Sequence, residues 1–170
     1  MSEKEMPEKF KNKFEVSYEN FMLGHFQPTV GLIRKFSTEI GEEKALMLAG
    51  EFIEEFSVMQ TKQMVKDNPI ENFEQFKETF KKHMTTEFMK NSSSFTIVED
   101  SDEKLKFKIT ECLWAEAMKK LEFDGEKGYK ICCDADYAMA KAFHPNVKLT
   151  RDKTIMQGDE CCNHCYEWEN

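Results

Sequence analysis

Apolar residues in the first half of the chain recur every three or four positions, whereas those in the second half alternate in short runs, so helices followed by a mixed part are expected. Phe10, Phe14 and Tyr18 predict a first amphipathic helix; Val30, Ile33 and Phe36 predict a second, after Gly24 and broken near Gly41. Over 42–66, Ala45, Ala49, Phe52, Phe56 and Met59 form one stripe, expected to be core. Asn68-Pro69-Ile70-Glu71 reads as a helix start, with Asn as N-cap and Pro at the first helical position. The helix it opens places Phe73, Phe76, Phe80, Met84 and Phe88 on one side and ends near Asn91-Ser92-Ser93-Ser94.

From residue 94 the period changes to two. Segments 94–98 and 105–109 flank the acidic turn Glu99-Asp100-Ser101-Asp102 and predict a hairpin. Helical spacing returns over 112–121, stops at Asp124-Gly125 and resumes from about 126 to 143, before Pro145. Segments 147–155 and 161–168 predict a second strand pair around Gly158-Asp159. The fold class is therefore α+β: N-terminal helices packed with a C-terminal ββααββ unit carrying an antiparallel sheet. One domain over 1–170 is expected, its 1–92 part helical and its 93–170 part carrying the cysteines.

Composition narrows the function classes. A net charge of −8 repels phosphate backbones and anionic lipid, and no basic stripe opposes it, so neither nucleic acid nor a membrane is an expected partner. The N-terminal MSEKEMPEK lacks the apolar core of a signal peptide, and no apolar run reaches membrane-spanning length, which places the protein in the cytoplasm. Six cysteines in that compartment are expected to be reduced.

Those cysteines crowd toward the end: Cys112, Cys132, Cys133, Cys161, Cys162 and Cys165. The C-x-x-C at Cys162–Cys165 lies in a predicted strand, where alternation sends the two thiols to opposite faces; a redox pair normally opens a helix. Zinc is the candidate cofactor, with Cys112, Cys133, Cys162 and His164 as the ligands, although no second C-x-x-C completes a knuckle or ribbon. Covalent or acid–base chemistry is a further reading. Cys133 and Asp136 share a helix face, Cys162 and His164 share a strand face, and a thiol beside a carboxylate or imidazole is how a nucleophile is activated. Against these stands simple packing, since a buried Cys behaves as a small apolar residue. His144 reads as a loop or cap residue, and His25 and His83 receive no function.

The C-terminal segment resembles the L-2-amino-thiazoline-4-carboxylic acid hydrolase family over about 104–168. The resemblance rests on Glu111-Cys112-Leu113-Trp114, Cys132-Cys133-Asp134-Ala135-Asp136, Leu149-Thr150-Arg151-Asp152-Lys153-Thr154 and Gly158-Asp159-Glu160-Cys161-Cys162. It selects Cys133 and Cys162 from their adjacent pairs and leaves Cys132 and Cys161 as packing residues. It implies a hydrolase opening a cyclic amidine in a thiazoline ring, at a non-peptide C–N or C–S bond. Cys133, Asp136, Cys162 and His164 are then the catalytic candidates; Cys112, Arg151, Thr154 and Asp159 are the substrate-binding ones. Arg151 is expected to clamp a substrate carboxylate. His164 and Cys165 depart from the family, where an aromatic and a basic residue are frequent.

Two other classes compete. One is a zinc- or small-molecule-binding sensor module, which resembles, more loosely, the zinc-containing 4-vinyl-reductase-type ligand domains. The other is an interaction protein using the Phe-rich helices. If those helices exceed what the sheet covers, a homodimer is the simplest burial.

Overall fold

A computed structural model describes residues 15–169. Two long helices come first: α1 (Tyr18–Ile40) and α2 (Glu42–Met64). Then follow α3 (Phe73–Met84), α4 (Glu87–Ser92), β1 (Ser93–Asp100) and β2 (Lys104–Cys112). Three short helices, α5 (Leu113–Lys120), α6 (Gly125–Cys132) and α7 (Ala135–Phe143), lead to β3 (Val147–Thr150), a 3-10 turn at Ile155–Gln157 and β4 (Cys162–Trp168). The sheet order is β1-β2-β4-β3, antiparallel throughout. The α+β architecture is as expected, and no helix among the described residues is long and apolar enough to cross a membrane.

Local chemistry explains where the elements differ from expectation. Phe10 and Phe14 lie outside the described residues, and α1 continues from Tyr18 through Gly24 and Pro28. Pro28 removes one hydrogen bond, whereas continuing the helix lets Met22, Phe26, Val30 and Ile33 bury one face. Gly41, at a φ of 86°, turns the chain into α2. The helix start placed at Asn68-Pro69 is corrected to Asn72. There the side chain accepts from Gln75 N–H, while Gln75 Oε1 accepts from Glu71 N–H (3.0 and 2.8 Å). Thr86 caps a new helix, so Phe88 leaves the α3 stripe. The helix expected over 126–143 breaks at Cys133-Asp134, and the strand expected to reach 155 ends at Thr150.

Two cores result. In one, α3 and α7 pack on the sheet through Phe73, Phe76, Phe80, Phe143, Val147 and Tyr166. Phe76 is its hub, with ring centroids 5.2–5.9 Å from those of Phe73, Phe80, Phe143 and Tyr166. Buried Lys77 pins the β1–β2 hairpin to α3, bonding the Ser101 carbonyl at 2.8 Å and pairing with Glu74 and Asp100. The second core joins α1, α2, α5 and α6 through Met22, Phe26, Val30, Met118 and Ile131. Gly50 admits the Lys130 stem here; a Cβ would lie 2.7 Å from Lys130 Cε. The α2 stripe expected in the core is corrected in part: Ala45 is buried and Ala49 packs against the core, but Phe52 and Met59 are 63% and 57% exposed, because farther along α2 turns Gly50, Ile53 and Thr61 inward instead.

Phe76→Ala is expected to cost about 3–5 kcal/mol, the range for emptying a large buried aromatic site. Urea unfolding followed by circular dichroism measures it.

Candidate functional site

The site lies where the end of β3, the α6–α7 junction and β4 meet, and Arg151 organises it. Its side chain is only 2% exposed. Nη1 donates to Asp136 Oδ2 at 2.7 Å and to His164 Nε2 at 2.8 Å; Nη2 donates to the Cys133 carbonyl at 2.9 Å. The guanidinium carbon lies 5.5 and 5.4 Å from the ring centroids of Tyr129 and Tyr137, so two aromatic rings flank the cation. Asp136 keeps Arg151 charged against burial, pushing its pKa upward. Both terminal nitrogens are engaged, while the buried Nε–H has no acceptor among the described residues.

His164 follows from the same contacts. Arginine only donates, so Nε2 is the acceptor and the neutral ring carries its proton on Nδ1. That Nδ1 is buried and without a partner among the described residues. The ring stacks on Phe107, centroids 4.7 Å apart at 7°. Burial pushes the imidazole pKa down, only partly opposed by Asp136, whose Oδ2 is 3.7 Å from Nε2. Alternation along β4 puts Cys162, His164 and Tyr166 on the buried side and Cys165 on the other, as the strand reading required.

Three thiols surround this cluster. Cys112 ends β2 at the mouth of α5; Cys133 sits between α6 and α7; Cys162 opens β4. Each feels the charge of Asp136, and those of Cys112 and Cys133 also feel Cys162, so elements up to 50 positions apart in the chain converge. Burial keeps all three protonated. Cys112 is pushed up to about 11 even though the Ala115 and Trp114 N–H groups favour its thiolate. Burial and then the Asp136 carboxylate raise Cys133 further. Cys162 is raised by burial but helped by the Ile155 N–H, 3.3 Å from its sulfur, and by Arg151. Cys161 is buried packing, and Cys132 is half-buried against the α1–α2 core.

Thr154 and Asp159 shape the turn that delivers that N–H. Thr154 Oγ1 donates to Gln157 Oε1 at 2.7 Å, and Asp159 Oδ2 accepts from Thr154 N–H at 2.7 Å. Gly158, at a φ of 101°, closes the turn. Both residues therefore act on Cys162 through the backbone in this structure. Tyr129, Tyr137 and Phe107 belong to the site and were not among the residues singled out from sequence. The available signal was local: Tyr129 is one helical turn before Cys133, and Tyr137 adjoins Asp136.

The zinc reading finds no support in the donor geometry. Among the described residues no three His, Cys, Asp or Glu side chains are grouped to hold a metal ion. His164 Nε2 and Asp136 instead face a guanidinium, which repels a second cation. His144 is a loop residue, stacked on Trp168 and accepting from Asn146 N–H through Nδ1.

The fold and cluster define an α+β protein with a thiol, carboxylate and imidazole centre organised by one buried arginine. The family model described as L-2-amino-thiazoline-4-carboxylic acid hydrolase matches residues 23–166, the N-terminal helices included. The chain belongs to that family, and the membership supports a hydrolase-like function. No curated protein matches the chain.

Arg151→Met is expected to cost about 2–4 kcal/mol, below the figure for a fully buried pair because Asp136 is about a third exposed. It should also raise the His164 pKa, since the opposing cation goes while Asp136 stays; NMR titration of the histidines reads this. In the unaltered protein the folded state resists the proton that the unfolded chain accepts, so His164 makes stability fall as pH drops below about 6.5. Urea midpoints at acidic and neutral pH should differ less in His164→Phe.

Proposed function

We propose that the protein hydrolyses a small cyclic amidine of the thiazoline-carboxylate type, with Cys162 as nucleophile. The observation that carries this reading is the Ile155 N–H on the Cys162 sulfur beside Arg151. It favours the Cys162 thiolate, whereas the Asp136 carboxylate is the largest influence on Cys133 after burial and opposes its ionisation.

The Cys162 sulfur bonds to the ring carbon between nitrogen and sulfur, and the bond from that carbon to the ring sulfur breaks. The thiol proton ends on the departing sulfur. Water then adds to the same carbon, its oxygen forming the new C–O bond as the bond to Cys162 breaks. One water proton returns to Cys162 and the other stays on the amidine nitrogen, giving a carbamoyl-cysteine. Asp136 accepts the water proton and passes it on. His164 Nδ1–H, a buried donor with no protein acceptor among the described residues, hydrogen-bonds the substrate. Arg151 is a positioning residue that holds Asp136 and His164 and supplies positive potential for the substrate carboxylate. Thr154 and Asp159 hold the turn behind Cys162, and Cys112 lines the cluster.

Cys162→Ser is expected to lower kcat at least about 100-fold, and Cys165→Ser to leave it within about threefold. With a thiol raised above its ordinary range, the thiolate fraction grows about tenfold per pH unit, so kcat/KM should still be climbing at pH 9. Turnover assays with a 2-amino-thiazoline-4-carboxylate measure both. Full activity in Cys162→Ser removes the thiol mechanism.

A further inference from the structure

Ten of the thirteen large apolar side chains exposed among the described residues sit on α1 and α2, so exposed apolar surface is concentrated on one helical hairpin. On α2, Leu48, Phe52, Phe56 and Met59 follow a four-four-three spacing and share one side of the helix. That side is distinct from the one carrying Gly50, Ile53 and Thr61, which faces the rest of the protein. Phe52 and Phe56 stack at 6.1 Å, two rings already ordered against each other at the surface. On α1, Leu32 and Phe36 add a second apolar row, 57% and 52% exposed.

We propose that this face is the interface of a homodimer, with α2 packed antiparallel on its copy about a two-fold axis beside Phe52. The area supports it. Side chains of this size that are half exposed add up to roughly 800 Å² of apolar surface, which is what one partner contributes to a standard-size interface. The stripe is self-complementary. Antiparallel pairing sets Leu48 against Phe56 of the partner subunit and Phe52 against its own equivalent, the arrangement an isologous contact demands.

Of the charged groups at the start of α2, Glu42 is already paired with Lys127 and Glu43 lies on the side of Gly50 and Thr61, so the two-fold register rests on the apolar stripe. Glu51, Glu54 and Glu55 on the same helix, with the net charge of −8, disfavour an anionic membrane as the occupant.

Sedimentation equilibrium of the full chain between about 1 and 100 μM tests the proposal, with twice the 20.0 kDa chain mass expected. Phe52→Glu should weaken the dimer about 30-fold or more while leaving the far-UV circular dichroism unchanged, since the ring is mostly exposed. A single-chain mass at every concentration overturns the proposal, whether residues 1–14 of the same chain or a different partner cover the stripe. So does a dimer that survives Phe52→Glu.

Discussion

A guanidinium withdrawn from water must be compensated by charge and hydrogen bonds, and that requirement at Arg151 fixes the geometry of the site. Burying a cation costs several kcal/mol unless its donors are met with good geometry. Three partners do this from three places: Asp136 in the first turn of α7, the Cys133 carbonyl at the α6–α7 junction, and His164 on β4. The two tyrosines beside it come from α6 and α7 and replace part of its hydration. The break between α6 and α7 is part of this arrangement. A continuous helix would commit the Cys133 carbonyl to the α-helical bond four residues on; instead it accepts from both the Asp136 N–H and Arg151.

The charged cluster is also a seam between two apolar bodies. Phe107 carries His164 on the α3–sheet side, while Cys112 and Cys133 pack against the α1–α2 side. Apolar walls strengthen every charge interaction inside and keep the thiols neutral. Backbone N–H groups oppose this, from Ala115 and Trp114 at Cys112 and from Ile155 at Cys162, the last aimed by the Thr154–Asp159 turn. It depends on Gly158, since a side chain at that φ would be strained.

How much of this was legible depended on whether the information was local. Period-two alternation in 162–168 suffices to put Cys162 with His164 and against Cys165, and the sheet obeys it. The Cys133-to-Asp136 spacing put both on one face of a continuous helix, whereas the chain breaks between α6 and α7, and nothing local showed that Arg151 would bond both residues. Arg151 itself was readable as a cation but not as a buried one, because burial is settled by the tyrosines and the sheet that close over it. At α3 two capping signals competed, and the start is at Asn72, where Asn72 Oδ1 accepts from Gln75 N–H and Gln75 Oε1 from Glu71 N–H. The α2 stripe misled for a different reason. Periodicity shows which residues share a face, but not whether that face meets this chain or another surface.

Neutral thiols alter what kind of chemistry the centre can support. A low-pKa cysteine is a good nucleophile at rest and is also oxidised readily, whereas a protonated buried one is inert until something changes its surroundings. At Cys162 the directed Ile155 N–H and the Arg151 charge favour the thiolate, while burial and the Asp136 carboxylate oppose it, so the thiol stays protonated at rest. His164 adds a second neutral group to the same cluster. Its donor is fixed on Nδ1 by Arg151, so it offers a hydrogen bond to an acceptor and no lone pair to a cation. The centre therefore sets a neutral thiol and a neutral imidazole donor around one buried ion pair.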